Sequence, residues 1–290
     1  MVDVGVPERA VVGIDFSPTT DQLVDALPTL ARLGLRRLTL VHVIGGHYPQ
    51  APEERHRAHY EPRLEELAAR VADGLSVTWQ LRVGHVGAQL IEAASEVDGD
   101  VIVVGSRGHT PWRDLFLGST VLELARTSRR PVLLLPLPMR PPNGGGGVVL
   151  ATDSSWSAAS AERLGSALAA RLGGIVVTVL PPTDDGSPTR TYDLDANRRH
   201  LREVTGGTME TTVEHGPLPE TVARIADERD ADVIVVGARG RTALTGLLLG
   251  STAEHLLRTA SRPVLLVREW GDAPPHEIPH LRRRDVSGGT

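Results

Sequence analysis

The arrangement in this chain most able to do chemistry is Gly105-Ser106-Arg107-Gly108, nine residues, then Gly118-Ser119-Thr120. It occurs twice, the second time as Gly237-Ala238-Arg239-Gly240, nine residues, then Gly250-Ser251-Thr252. Glycine has no Cβ, so its backbone can bend freely and come close to a ligand. Each Gly-Ser-Thr triplet stands directly before a helical pattern, where Ser or Thr is expected to cap the free N–H groups. A helix start with free N–H groups and partial positive charge attracts anions, so the chemistry indicated is phosphate binding by backbone amides. Arg107 and Arg239 lie inside the loops, either paired with phosphate or solvated. A lone Gly-x-x-Gly is a common turn and a lone Gly-Ser is a common helix start. The full spacing, found twice and each time after Asp-Val-Ile-Val-Val, favours the phosphate reading.

Composition narrows the chemistry further. All 31 Lys+Arg residues are arginine, so a P-loop lysine, a Schiff-base lysine and a kinase-type phosphate lysine are excluded. Without cysteine there is no disulfide, thiolate metal site or cysteine nucleophile. A net charge of −5 and 3% aromatic residues give neither the field nor the stacking surface of a nucleic-acid binder. Apolar runs have strand length, short of a membrane span, and Met1–Pro7 does not read as a signal peptide; a cytoplasmic location is expected. Asp15 and Asp153 could be pictured as general bases, but neither has an evident partnered nucleophile. Ser17 and Ser119 lack the Gly-x-Ser-x-Gly elbow. No catalytic residue is therefore expected. His47, His56 and His59 read as a polar loop without metal-binding spacing, and His42 as a packed strand histidine, so no metal site is expected either.

These loops sit within a duplication. Asp100–Leu135 aligns without a gap to Asp232–Val267, an offset of 132, with 22 of 36 positions identical. Upstream, Val11–Asp15 matches Val149–Asp153 at an offset of 138. The period is far longer than a solenoid unit, so a whole domain is repeated. Pro136, Pro138, Pro141 and Pro142, followed by Gly144–Gly147, read as a linker, stiff and then loose. The expected division is a first domain over 1–138, a linker over 139–147, a second domain over 148–268 and a flexible tail over 269–290.

Each copy alternates strand and helix patterns. In the first, strands are expected at Ala10–Ile14, Leu38–Ile44, Ser76–Val83, Val101–Val104 and Pro131–Leu135. Helices are expected through Leu23–Ala31, Pro62–Ala72, Ala88–Glu96 and Ser119–Thr127. The second copy follows with strands near Val148–Thr152, Ile175–Leu180, Met209–Glu214, Val233–Val236 and Pro263–Val267. Continuous Val/Ile/Leu runs suit parallel strands covered by helices on both faces, with ligands beyond the carboxyl ends of the strands.

In its paired Gly-x2-Gly-x9-Gly-Ser motifs the chain resembles the universal stress protein family in its tandem, ATP-binding form, over about residues 8–268. The resemblance implies an α/β fold of two tandem Rossmann-like (flavodoxin-like) domains. Each would be a five-stranded parallel sheet in order 3-2-1-4-5, with helices on both faces and ATP, with Mg²⁺, between the first and fourth strands. By position it assigns Gly105, Gly108, Gly118, Ser119 and Thr120 to phosphates and ribose, and likewise Gly237, Gly240, Gly250, Ser251 and Thr252. Asp15 and Asp153 would lie near adenine and ribose, and Val43 and Val179 would offer backbone contacts to adenine. After the second glycine, where the family often has arginine, the second copy has Arg241 but the first has His109. The resemblance also implies that the two fifth strands pair within the chain, and leaves a homodimer open. The implied function is a regulatory nucleotide binder in stress response; a slow ATPase and a nucleotide-free scaffold are the competing readings.

Overall fold

The computed structural model describes residues 5–45, 53–72, 74–106, 117–140, 145–152, 158–180, 194–207, 209–215, 217–239 and 249–268. The first copy runs β1 (Arg9–Ile14), α1 (Thr20–Ala26), a 3₁₀ segment (Leu27–Leu33), β2 (Arg37–Gly45) and α2 (Glu53–Val71). It continues through β3 (Ser76–Gly84), α3 (Val86–Glu96), β4 (Val101–Gly105), α4 (Ser119–Thr127) and β5 (Val132–Leu135). The second runs β6 (Val148–Ala151), α5 (Ala159–Leu172), β7 (Gly174–Leu180), α6 (Leu194–Thr205) and β8 (Glu210–His215). It ends with α7 (Leu218–Glu228), β9 (Val233–Gly237), α8 (Ser251–Thr259) and β10 (Val264–Val267).

Strand order is β3-β2-β1-β4-β5-β10-β9-β6-β7-β8. Each half has the expected 3-2-1-4-5 order with parallel neighbours, but the two sheets are not separate. They form one ten-stranded sheet through an antiparallel β5–β10 ladder, Val132 opposite Leu266, Leu133 opposite Leu265 and Leu134 opposite Val264. These six residues are all buried, and a fully buried leucine or valine is worth about 1.5–3 kcal/mol, so the seam is a core rather than a contact.

Successive strand residues point to opposite faces, and two apolar layers result. Val12, Leu133, Leu150 and Leu265 join helix residues Leu23, Leu64, Leu164 and Leu201 on one side. Val11, Leu134, Val149 and Leu266 join Leu90, Leu124, Val222 and Leu256 on the other. Both layers run unbroken across the seam.

Three local expectations change. Pro28 lacks an N–H, and the expected single helix tightens after Ala26 into the 3₁₀ segment; Ser166, at the matching place, lets α5 run unbroken. α2 starts at Glu53 rather than near Pro62, with Pro62 inside it, so His56 and His59 are helical and not in a loop. Gly146 and Gly147 are gripped rather than loose. A Cβ on Gly146 would lie 2.1 Å from the Asp230 carbonyl oxygen, and Gly147, at φ +67°, abuts the Gly173 carbonyl. Asp232 accepts the Gly147 N–H (3.0 Å) and, from the other copy, Arg32 Nε–H (2.8 Å), tying the start of β6 to the first half. Residues 269–290, expected to be a flexible tail, lie outside the described residues.

Candidate functional site

Between the carboxyl ends of β1 and β4, where strand order reverses, opens a cavity of about 990 Å³. Cavities of that size accommodate a nucleotide-sized molecule. Asp15, Val43, Gly105, Gly118, Ser119 and Thr120, named from sequence in different segments, all line it. A cavity of about 290 Å³ near Val6, Arg9 and Asp100 opens at the amino ends of the strands. Parallel sheets bind ligands at the carboxyl ends, so the larger one is the candidate.

The glycine before α4 sets its character. The N-cap is Gly118 (φ −57°, ψ 144°), and no side chain caps the helix, so the expected Ser or Thr cap is absent. Nor is Gly118 left-handed, so conformational freedom does not explain it. Among the described residues, a Cβ built there meets nothing nearer than Val121 Cγ2, at 3.9 Å, ordinary contact. The packing of the described residues therefore does not demand glycine. What the missing Cβ leaves is an open approach to the first-turn amides of α4, the positive end of its dipole.

Asp15 follows β1. Its Oδ1 accepts the Ser17 N–H (2.9 Å) and the Thr20 hydroxyl (3.3 Å), turning the chain into α1. Phe16 holds a left-handed φ of 54°, fixed by rings and charge around it. His42 lies 4.8 Å away edge-on, Tyr60 stacks at 5.4 Å, and the Arg63 guanidinium covers the ring at 4.1 Å. His42 is buried with Nδ1 2.7 Å from the Ile14 carbonyl oxygen. A carbonyl only accepts, so Nδ1 is the donor in this bond. Tyr60 and His56, from the early turns of α2, line the cavity too. They were missed because Pro62 reads as a helix start; a helical pattern reaching back past it was the available signal.

In the second copy, Gly237 ends β9 and Gly250 caps α8 (φ −65°, ψ 143°) in the conformation of Gly118, again with no side-chain cap. The Gly250 N–H donates to the Ala238 carbonyl at 2.9 Å, holding the loop's two ends together. Ser251 and Thr252 open α8, and Val179 lies in β7 opposite Glu214. Arg239 is half-buried beside Arg268, which occupies the position of the cavity-lining Pro136 and was not singled out from sequence. Burial and then the neighbouring Arg239 charge hold the Arg268 guanidinium below its ordinary value. Arg107, Gly108, Asp153 and Gly240, with His47, His109 and Arg241, lie outside the described residues. Among those described, no group of three or more acidic or histidine side chains could hold a metal ion, and no helix is long and apolar enough to cross a membrane.

Known proteins agree with this architecture. A universal stress protein of Mycolicibacterium smegmatis is 27% identical over 300 residues, spanning 92% of this chain and 99% of its own. One of Mycobacterium tuberculosis is 26% identical, spanning 89% and 96%. In fold, the crystal structure of a universal stress protein from Archaeoglobus fulgidus gives a TM-score of 0.73 at 21% identity over 92% of this chain and 99% of that one. Residues 7–136 and 147–268 each match the universal stress protein family, and the chain belongs to it.

Proposed function

We propose that the chain binds ATP and acts as a cytoplasmic regulatory nucleotide binder in stress response. The observation that carries this is Gly118: the glycine opens the α4 amides toward a nucleotide-sized cavity although no described residue needs the space. The triphosphate would lie on the amides of Gly105, Gly108, Gly118, Ser119 and Thr120, with Arg107 nearby. The base would reach toward Asp15 and the backbone of Val43. In the second copy the corresponding set is Asp153, Val179, Gly237, Arg239, Gly240, Gly250, Ser251 and Thr252. Mg²⁺ would ride mainly on phosphate oxygens and water, as this ion does with few protein carboxylates; Asp15 is the one carboxylate among the described cavity-lining residues.

The role proposed is binding rather than turnover. The described lining offers no lysine, and Asp15 already turns the chain into α1 through Ser17 and Thr20. The test is to purify the protein without added nucleotide, denature it, and chromatograph what it releases. ATP is expected. ADP accumulating with time would identify a slow ATPase, and no nucleotide, with no binding on titration, would leave a scaffold.

A further inference from the structure

Part of the first copy's cavity wall belongs to the second copy. With Val264 opposite Leu134 in an antiparallel ladder, the chain just before Val264 lies beside the chain just after Leu134. That is beyond the carboxyl ends of the first copy's strands. Leu257–Ser261, the end of α8 and its following turn, therefore line the cavity together with Pro136–Pro138.

Arg258 stands in this borrowed wall. Among the described lining residues it is the one arginine, and none is lysine. An unaided helix start offers about half a unit of positive charge, far less than a triphosphate carries. The carbonyls ending α8 add partial negative charge to the same wall, which a cation in the last turn offsets. Arg258 is held by Glu254 one turn earlier, Nη2 to Oε1 2.6 Å, and both side chains are about a quarter to a third exposed. Such solvent-screened pairs along a helix are weak, whereas a guanidinium on phosphate makes charge-assisted, bidentate hydrogen bonds.

We propose that Arg258 is a phosphate-binding residue supplied across the seam, exchanging Glu254 for the ligand's outer phosphates. This rests on the nucleotide reading above and adds a regulatory consequence. Ligand in the first site grips the second copy's α8, so occupancy stiffens the join between the two halves.

The experiment titrates ATP and adenosine onto the full chain, with and without Gly250→Val to silence the second site. Arg258→Ala should weaken ATP about tenfold or more while adenosine changes less than about twofold. Glu254→Ala, which removes the competing ion pair, should tighten ATP by about two- to threefold. Arg126→Ala, the same place in the first copy, should leave the first site's ATP affinity unchanged. ATP affinity indifferent to Arg258→Ala, or equal losses for ATP and adenosine, overturns the proposal and leaves the nucleotide reading standing. A parent chain that binds no nucleotide overturns both.

Discussion

Where the first copy buries Ile14 and Val24, the second buries Thr152 and Glu162 at the same offset of 138. The substituted pair is satisfied: the Thr152 hydroxyl donates to Glu162 Oε1 at 2.6 Å, and His200 Nε2 lies 3.1 Å from Oε2. One fold thus tolerates an oily corner in one half and a charged network in the other, provided each buried polar atom finds a partner. A second exchange lies under the site. In the first copy Gly13 faces Leu90, and an added Cβ would come within 3.2 Å of it. The second copy has Ala151 and Val222 at the matching places, moving one increment of volume from helix to strand. The lesson is that sheet and seam are held in common while each copy's interior is solved separately.

The largest expected effects would separate the two sites. Gly118→Val and Gly250→Val, made singly, should each abolish nucleotide binding by their own copy, a loss on the order of a thousandfold, about 4 kcal/mol. Titration that still finds two equivalent sites in either variant would erase the distinction. Next, Glu162→Val should destabilise the chain by about 2–3 kcal/mol, because Thr152 and His200 each lose a hydrogen bond to a buried carboxylate. Adding Thr152→Ile, which rebuilds the first copy's pair, should recover at least half of that in urea unfolding followed by circular dichroism; no recovery would mean the corners are not interchangeable. Smaller again, Gly13→Ala should cost about 1–2 kcal/mol, relieved by Leu90→Val, whereas Ala151→Gly should gain nothing. Equal costs in both copies would refute the volume exchange.

The smallest effect is one of pH. A hydrogen bond to Glu162 holds the His200 imidazole above its ordinary value of 6.5, with burial opposing. A raised pKa favours the folded state while the ring is protonated. His200's contribution is therefore full below about 6.5 and fades as pH climbs through the raised value. Wild type minus His200→Asn should differ by up to about 1 kcal/mol near pH 5.5 and by less near pH 8.5. The reverse slope would exclude the pairing.

The repeat and the glycine motifs were legible because both are local patterns or fixed spacings, whereas the strand order within each half came only through the family resemblance that those motifs carry. The cavity's borrowed wall was not: Arg258 and Pro136 come to line one cavity only through the register of an antiparallel ladder, and no spacing encodes that. Pro62 hid the early turns of α2, because proline reads as a first-turn residue, and with them His56 and Tyr60. Gly146 and Gly147 look like spacer by composition, yet the backbone of Asp230 and Gly173 leaves room for nothing larger. Glu162 did leave a trace, an acid at a core position among Ala161, Leu164 and Leu168, but its partner His200 comes from a distant helix.

Because β5 and β10 belong to one polypeptide, their meeting does not depend on how dilute the protein is; the tether sets the encounter frequency. In a pair of identical subunits any inherited change strikes both members at once, and a damaging one has nowhere to be offset. Here a difference such as valine against glutamate can sit in one half and not the other, so the two can drift toward different ligands or thresholds without parting company.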